Sequence, residues 1–211
     1  MKTHVLHVPQ GPIPAAFYRQ IQAVLQARGT IAYPTDTFYG LGVDATSPAA
    51  VDKVYALKSR DRGKPLSIIV SGAAMAEGLI LDPPPVFSVL AREFWPGPLT
   101  LVFKARPIFP ALMLGPGGTI AMRAPALPWL IKLLKCARFP ITATSANITG
   151  VGESDDPAEV KRIFDGRVNL IVDGGRTPGG LPSTIVDLAG PKPKIFRLGA
   201  VSEDRLHPFI S

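Results

Sequence analysis

The sequence predicts an α/β fold: an open, twisted sheet of mixed parallel and antiparallel strands, flanked by helices. Three observations carry this. Short apolar runs with β-branched residues, such as 66–70, 99–103 and 184–188, recur along the chain. They alternate with stretches whose apolar residues fall three to four apart, as in 14–25 and 128–139. Several runs then end in a polar motif (PTDT, Arg123, TSAN, DGG, Arg197), and ligands of open α/β sheets bind beyond the carboxyl ends of strands.

In order, residues 5–8 suit a short first strand. A helix starts at Pro14 and runs through Phe17, Ile21, Val24 and Leu25 until Gly29 stops it. Residues 30–33 form a strand that delivers the PTDT turn, after which Gly40 and Gly42 would let the backbone approach a ligand closely. Ser47 is the expected N-cap, and Pro48 the first position, of a helix carrying Val51, Val54, Tyr55 and Lys58. Residues 66–70 read as a buried strand, Pro83-Pro84-Pro85 as a rigid spacer, 86–94 as a helix broken by Trp95-Pro96-Gly97-Pro98, and 99–103 as a strand. The Pro/Gly-rich stretch 107–118 has no periodicity and is a candidate mobile loop. A strand at 119–122 ends in Arg123, a strongly apolar helix covers 128–139, and a strand at 140–143 leads into Thr144-Ser145-Ala146-Asn147. A helix at 157–164 is capped by Asp155 or Asp156, a strand at 170–172 ends in the tight turn Asp173-Gly174-Gly175, and strands at 184–188 and 194–197 follow. With no internal repeat and no linker, residues 1–211 are expected to form a single domain.

Composition narrows the function. At 46% hydrophobic and 18% charged residues, the chain can bury a sizeable core and is not a disordered tail. Its net charge of +7 favours phosphate-bearing partners such as nucleotides or RNA. Cys136 is the only cysteine, which rules out an internal disulfide and a cysteine metal cage; its apolar helical setting suggests a buried thiol. No signal peptide is visible in residues 1–8 and no apolar run reaches membrane-spanning length, so a soluble cytoplasmic protein is expected, with no membrane partner.

Several chemistries lack their motifs. There is no GxxxxGK[ST] phosphate loop and no GxGxxG after a strand. His4, His7 and His207 lie at the chain ends, which argues against a zinc site or a Ser-His-Asp triad, and no resident metal site is expected. What remains is cation and hydroxyl chemistry. The stretch 34–66 joins Thr35, Asp36, Thr37 and Tyr39 to the cations Lys58, Arg60, Arg62 and Lys64, which need anions because no acidic run nearby neutralises them. Lys58, Arg60 and Lys64 could hold a triphosphate. Ser145 and Asn147 flank Ala146 after a strand and can present a hydroxyl and an amide together. Such parts catalyse by positioning and charge stabilisation, as in phosphoryl and nucleotidyl transfer.

Taken together, the motifs resemble those of the YrdC/TsaC family, the threonylcarbamoyl-AMP synthases. The resemblance spans about 29–199: PTDTFYGL at 34–41, KSR at 58–60 with KPL at 64–66, WPGPLT at 95–100, TIAMR at 119–123, TSAN at 144–147, VDGG at 172–175, PSTIVDL at 182–188 and RLG at 197–199. It implies a YrdC-like fold with a basic concave face. The implied activity converts L-threonine, bicarbonate and ATP to L-threonylcarbamoyl-AMP and pyrophosphate, with Mg2+ accompanying ATP. Downstream proteins then transfer the threonylcarbamoyl group to tRNA.

Carried over by residue, the resemblance implies threonine contacts at Thr35, Thr37, Arg123, Ala143 and Ser183, with Arg123 clamping the carboxylate. It implies an ATP site at Lys58, Arg60, Lys64, Thr119, Ser145, Asn147 and Arg197, and a catalytic set of Lys58, Arg60, Ser145 and Asn147. Arg62 is adjacent. Two positions depart from the family pattern: Ile69 stands where longer relatives have a histidine, and RLG replaces RPG. The chain ends at Ser211 without the extra domain of longer relatives, so the loop 107–118 is a candidate substitute lid. A different class of function, an RNA-binding module holding tRNA or double-stranded RNA on the basic face, requires the cations alone and not the polar set at fixed spacings. A carbamoyl-transfer domain of the hydrogenase-maturation type shares the fold but belongs to a much longer protein.

Overall fold

The computed structural model describes residues 2–148 and 152–210; Met1 and Ser211, the ends of the expected domain, lie outside the described residues. The chain runs β1 (His4–His7), α1 (Ala15–Gln26), β2 (Ile31–Pro34), β3 (Tyr39–Gly42), α2 (Pro48–Lys58), β4 (Ile68–Ile69), α3 (Ala73–Glu77) and α4 (Pro85–Phe94). There follow β5 (Leu99–Lys104), a 3-10 turn (Ala111–Met113), β6 (Thr119–Arg123), α5 (Pro128–Ala137), β7 (Ile141–Thr142) and β8 (Thr144–Ser145). α6 (Pro157–Phe164), β9 (Leu170–Asp173), β10 (Thr184–Asp187), β11 (Lys194–Arg197) and α7 (Glu203–Ile210) complete it.

The α/β class and the mixed pairing are as the sequence predicts, but the strands divide into two sheets, ordered β1-β9-β2-β3-β8 and β11-β10-β5-β6-β4-β7. The division occurs at Ala143. β7 pairs antiparallel with β4 in the second sheet, whereas β8, one residue further on, pairs antiparallel with β3 in the first. The crossing is held on both sides. Ala143 donates its N–H to Ser67 O and accepts from the Ser67 hydroxyl. Thr142 donates its N–H to Val43 O at 3.0 Å, and its hydroxyl bridges Val43 N–H and Leu41 O.

β3 has no counterpart in the sequence reading, because its YGLG composition looks like a ligand-approach turn. The glycines serve packing instead: a Cβ on Gly42 would sit 2.7 Å from both Tyr33 Cε1 and Ile141 Cγ2, and one on Gly40 3.2 Å from Tyr33 Cζ. The Tyr33 ring thus lies against β3, fully buried, with its hydroxyl donating to Thr142 O at 2.8 Å.

Two apolar clusters flank these sheets. Phe17, Ile21 and Leu25 of α1 meet Trp129, Leu130, Leu133 and Leu134 of α5 over Tyr33, Ile69 and Ile141. A larger cluster joins α2, α4 and α6 to both sheets, through residues such as Val54, Phe87, Phe94, Phe103, Met122, Phe164 and Ile171. Full burial of each such side chain contributes about 1.5–3 kcal/mol. Pro48 starts α2 as expected, α4 begins one residue early at Pro85, taken from the proline spacer, and Asp156 rather than Asp155 caps α6 through Oδ1 and Ala158 N–H at 2.9 Å. Ser47 occupies the N-cap of α2, but its hydroxyl makes no capping bond.

Two expectations fail. Cys136 is exposed, because α5 buries Trp129, Leu130, Leu133, Leu134 and Ala137 and turns position 136 outward. Segment 107–118 is anchored: Phe109 and Met113 are buried in the larger cluster, and Leu112 O accepts the Tyr55 hydroxyl at 2.7 Å. The short apolar residues between its prolines carry no period, yet they are core. No described helix is long and apolar enough to cross a membrane.

Candidate functional site

The PTDT turn is built by its own hydroxyls. Thr35 Oγ1 donates to Phe38 O at 2.7 Å and accepts the Thr37 N–H at 3.1 Å, with Thr37 Oγ1 also 3.1 Å away. Asp36, at the turn's tip, accepts from Arg123 Nη1 at 2.6 Å. Arg123 terminates β6, so this ion pair joins the two sheets. Ile69 is the register partner of both Arg123 and Ile141 and is fully buried beside them.

The TSAN segment comes to the same place through pairing: Ser145 lies opposite Gly40 on β3, and Ala146 N–H donates to Tyr39 O at 2.7 Å. Lys58, the last residue of α2, points into this segment and is almost fully buried. Its ammonium donates to Ser145 O, to Asn147 O at 2.8 Å and to Asn147 Oδ1 at 2.6 Å, while the Ser145 hydroxyl donates to Asn147 Oδ1 at 2.7 Å. Burial, with the charge of Arg60, brings the Lys58 ammonium down to about 8, against a smaller opposing pull from Glu153.

Beyond Lys58 the chain turns through Ser59, which is left-handed at φ 49°, into the cationic loop. Arg60 bends back on it, with Nε donating to Lys64 O at 2.9 Å and Nη2 to Pro65 O at 3.1 Å. The Tyr55 hydroxyl lies between two carbonyls, 2.9 Å from Lys64 O and 2.7 Å from Leu112 O, which share its single proton. The Lys64 side chain is exposed. Arg62 turns away and pairs with Asp52 at 2.8 Å, so this cation is neutralised after all; Asp52 sits one helical stretch back, where no acidic run is visible. Thr119 starts β6, four residues from Arg123, and its hydroxyl donates to Pro116 O at 3.2 Å. A Cβ on neighbouring Gly115 would meet Thr119 Oγ1 at 2.8 Å and Pro65 Cγ at 3.6 Å, which puts Thr119 by the cationic loop.

Ser183 and Arg197 form a third group. Arg197 Nη2 donates to Ser183 O at 2.7 Å, and Ser183 Oγ lies 2.8 Å from Thr100 Oγ1. The loop before them reaches the PTDT turn, since Gly179 N–H donates to Thr37 O at 2.8 Å. The DGG turn is tight, with Gly175 N–H donating to Asp173 Oδ1 at 2.9 Å. It is latched by Tyr39, whose hydroxyl donates to Gly175 O at 2.7 Å; burial pushes that phenol up to about 12. The structure therefore gathers the predicted residues into groups: Thr35, Thr37 and Arg123 around the PTDT turn, Lys58 with Ser145 and Asn147 on the segment after Ala143, Arg60 and Lys64 in the loop after Lys58 with Thr119 near it, and Ser183 with Arg197. Sequence reasoning passes over Tyr39 and Tyr55 as anchoring residues, since a buried tyrosine hydroxyl bonded to a distant carbonyl leaves no local signal.

Among the described residues no three His, Cys, Asp or Glu side chains cluster as a metal site. Two surface depressions, of about 370 and 250 Å3, are lined by none of the candidate site residues.

Comparison with known proteins places these features in a family. The Sua5–YciO–YrdC family model, described as telomere recombination, matches residues 23–199. A threonylcarbamoyl-AMP synthase of Pyrococcus abyssi is 35% identical over 189 residues, covering 85% of this chain and 56% of the relative. One from Methylobacillus flagellatus is 35% identical over 171 residues, covering 81% of this chain and 94% of the relative. A crystal structure of P. abyssi Sua5 complexed with L-threonine superposes with a TM-score of 0.93 at 32% identity, over 99% of this chain and 61% of that one. The chain thus spans little more than half the length of the Pyrococcus protein.

Proposed function

Because this chain belongs to the Sua5–YciO–YrdC family, we propose that it is an L-threonylcarbamoyladenylate synthase, a nucleotidyltransferase that converts L-threonine, bicarbonate and ATP to L-threonylcarbamoyl-AMP and pyrophosphate. The observation that carries the reading is Lys58, which ties the end of the helix preceding the cationic loop to Ser145, on a strand paired with the PTDT hairpin, and to Asn147 just beyond that strand. In this reading the cationic loop supplies the triphosphate side, and the PTDT turn the amino-acid side, of one site.

In this reading Arg123 takes the threonine carboxylate, and Thr35, Thr37, Ala143 and Ser183 line the amino acid. Arg60 and Lys64 face the phosphates, while Thr119, Ser145, Asn147 and Arg197 complete the ATP site. Lys58 holds the Ser145–Asn147 segment in place. Bicarbonate takes up a proton and loses water to give CO2. The threonine ammonium gives up a proton, and the free amine captures the CO2 as a carbamate, releasing a second proton to solvent. A carbamate oxygen then attacks the α-phosphorus and pyrophosphate leaves. Catalysis is positional, with cations balancing charge that develops on the leaving group. Mg2+ accompanying ATP would offset part of the triphosphate charge beside Arg60 and Lys64.

The product would pass to tRNA-modifying transfer proteins in the cytoplasm. A separate role in binding tRNA or double-stranded RNA would use the cations but not the buried Arg123–Asp36 pair, and the relative complexed with L-threonine favours the enzyme. The test is pyrophosphate release from ATP with and without L-threonine and bicarbonate. The expected result is dependence on both; release indifferent to threonine would refute the assignment.

A further inference from the structure

We propose that Asp36 is a specificity-determining residue of the amino-acid subsite: with Arg123 it forms a plus–minus pair that receives an α-amino acid as its zwitterion, Arg123 taking the carboxylate and Asp36 the α-ammonium. The inference rests on the reading of Arg123 given above and extends it to the other end of the substrate.

The pair is nearly buried, with side chains 9% and 12% exposed, yet its geometry is single-point: Arg123 Nη1 to Asp36 Oδ1 at 2.6 Å. Among the described residues no other hydrogen bond engages the guanidinium, and none reaches Asp36 Oδ2. Arginine has five N–H donors and a carboxylate about four acceptor positions. Most of that capacity is thus unused on atoms that stay open to solvent and to a ligand, since among the described residues the only sealed side-chain N or O atom without a partner is Thr177 Oγ1. A purely structural arginine–carboxylate clamp would close as a two-pronged fork.

An α-amino acid carries its carboxylate and ammonium on one carbon. Two opposite charges a hydrogen bond apart on the protein match them, so that the four charges alternate. The threonine hydroxyls of the turn flank Asp36 in sequence, available to a polar substrate side chain. Buried polar groups of this kind discriminate because an analogue lacking the matching group leaves them unpaired.

The experiment is calorimetric titration of the full chain, wild type and Asp36→Asn, with L-threonine and with 3-hydroxybutyrate, which lacks only the amine. Wild type should bind threonine about 10- to 100-fold tighter than 3-hydroxybutyrate. Asp36→Asn, which keeps the shape and an acceptor for Arg123, should narrow that ratio to about threefold or less while 3-hydroxybutyrate binding is retained. If Asp36→Asn weakens both ligands by one factor and the ratio stands, Asp36 only positions Arg123 and the proposal falls. If the variant does not fold, wild type alone decides: equal affinity for the two ligands overturns the role of Asp36 but leaves the enzyme reading intact. A wild-type chain that binds no threonine overturns both.

Discussion

Lys58 Nζ lies 2.6 Å from Asn147 Oδ1 and 2.8 Å from Asn147 O, and its remaining bond goes to Ser145 O. All three ammonium protons are therefore spent on the segment expected to meet ATP. Lys58→Met should leave buried oxygens unpaired, at a cost of about 1–3 kcal/mol each in stability. Urea unfolding would show the loss, and pyrophosphate release should fall at least tenfold as Ser145 and Asn147 drift. A variant with wild-type stability would contradict the role.

The same group gives a pH dependence with opposite signs for stability and activity. Its folded-state value of about 8 lies below the ordinary 10.5. Between these values the unfolded chain holds the proton and the folded chain does not, so this group's contribution to stability rises across the window. Activity should fall over the same range, because a neutral amine has only two N–H groups for three acceptors. The check is a pyrophosphate-release profile with an alkaline limb near pH 8, moved upward in Lys58→Arg; a profile flat to pH 10 would count against it.

Arg60 and Arg62 should behave differently although they are two residues apart. Arg60 is braced by Lys64 O and Pro65 O, whereas Arg62 forms an exposed pair with Asp52. Arg62→Ala should leave the ATP requirement within about twofold of wild type, as an exposed pair contributes little. Arg60→Ala should raise it about tenfold or more through loss of a charge-assisted contact. ATP titrations at saturating threonine and bicarbonate decide this.

Gly199 packs where no side chain fits: a Cβ there would lie 2.1 Å from Pro182 O and 2.8 Å from the Ser183 carbonyl carbon. Gly199→Ala must push the chain away from Ser183, whose oxygen holds Arg197. We expect a loss of about 1–3 kcal/mol, by the usual cost of overpacking. A lowered melting temperature would accompany a raised ATP requirement; an unchanged melting temperature would show that the contact relaxes freely.

Most strands and helices are visible in the sequence because their apolar residues repeat with the right period, as in α1, α5 and β5. β3 is not, since Gly40 and Gly42 respond to the ring of Tyr33 and only the folded chain brings that ring near. α7 carries Pro208 inside it, which hides a helix from any local rule. Cys136 was a matter of phase: an apolar helix still has an outer face. At the site, the residue types are readable from the motifs, but the partners are not. Asp36 to Arg123 spans 87 positions and Lys58 to Asn147 spans 89, and such pairings follow from sheet topology alone.

The crossing at Ala143 has a consequence for how such a protein can change. Residues 141–145 serve both sheets, so the spacing between Thr142 and Ser145 is a shared dimension of two otherwise separate scaffolds. One residue added or removed there would invert which side chains face the pockets on at least one sheet. Loops elsewhere can lengthen and drift, but this five-residue strip has no tolerance for insertion or deletion. Both sheets contribute to each proposed subsite, the PTDT turn and Arg123 to the amino acid, Ser145 and Thr119 to the nucleotide, so a transplant of either sheet would have to carry the strip with it.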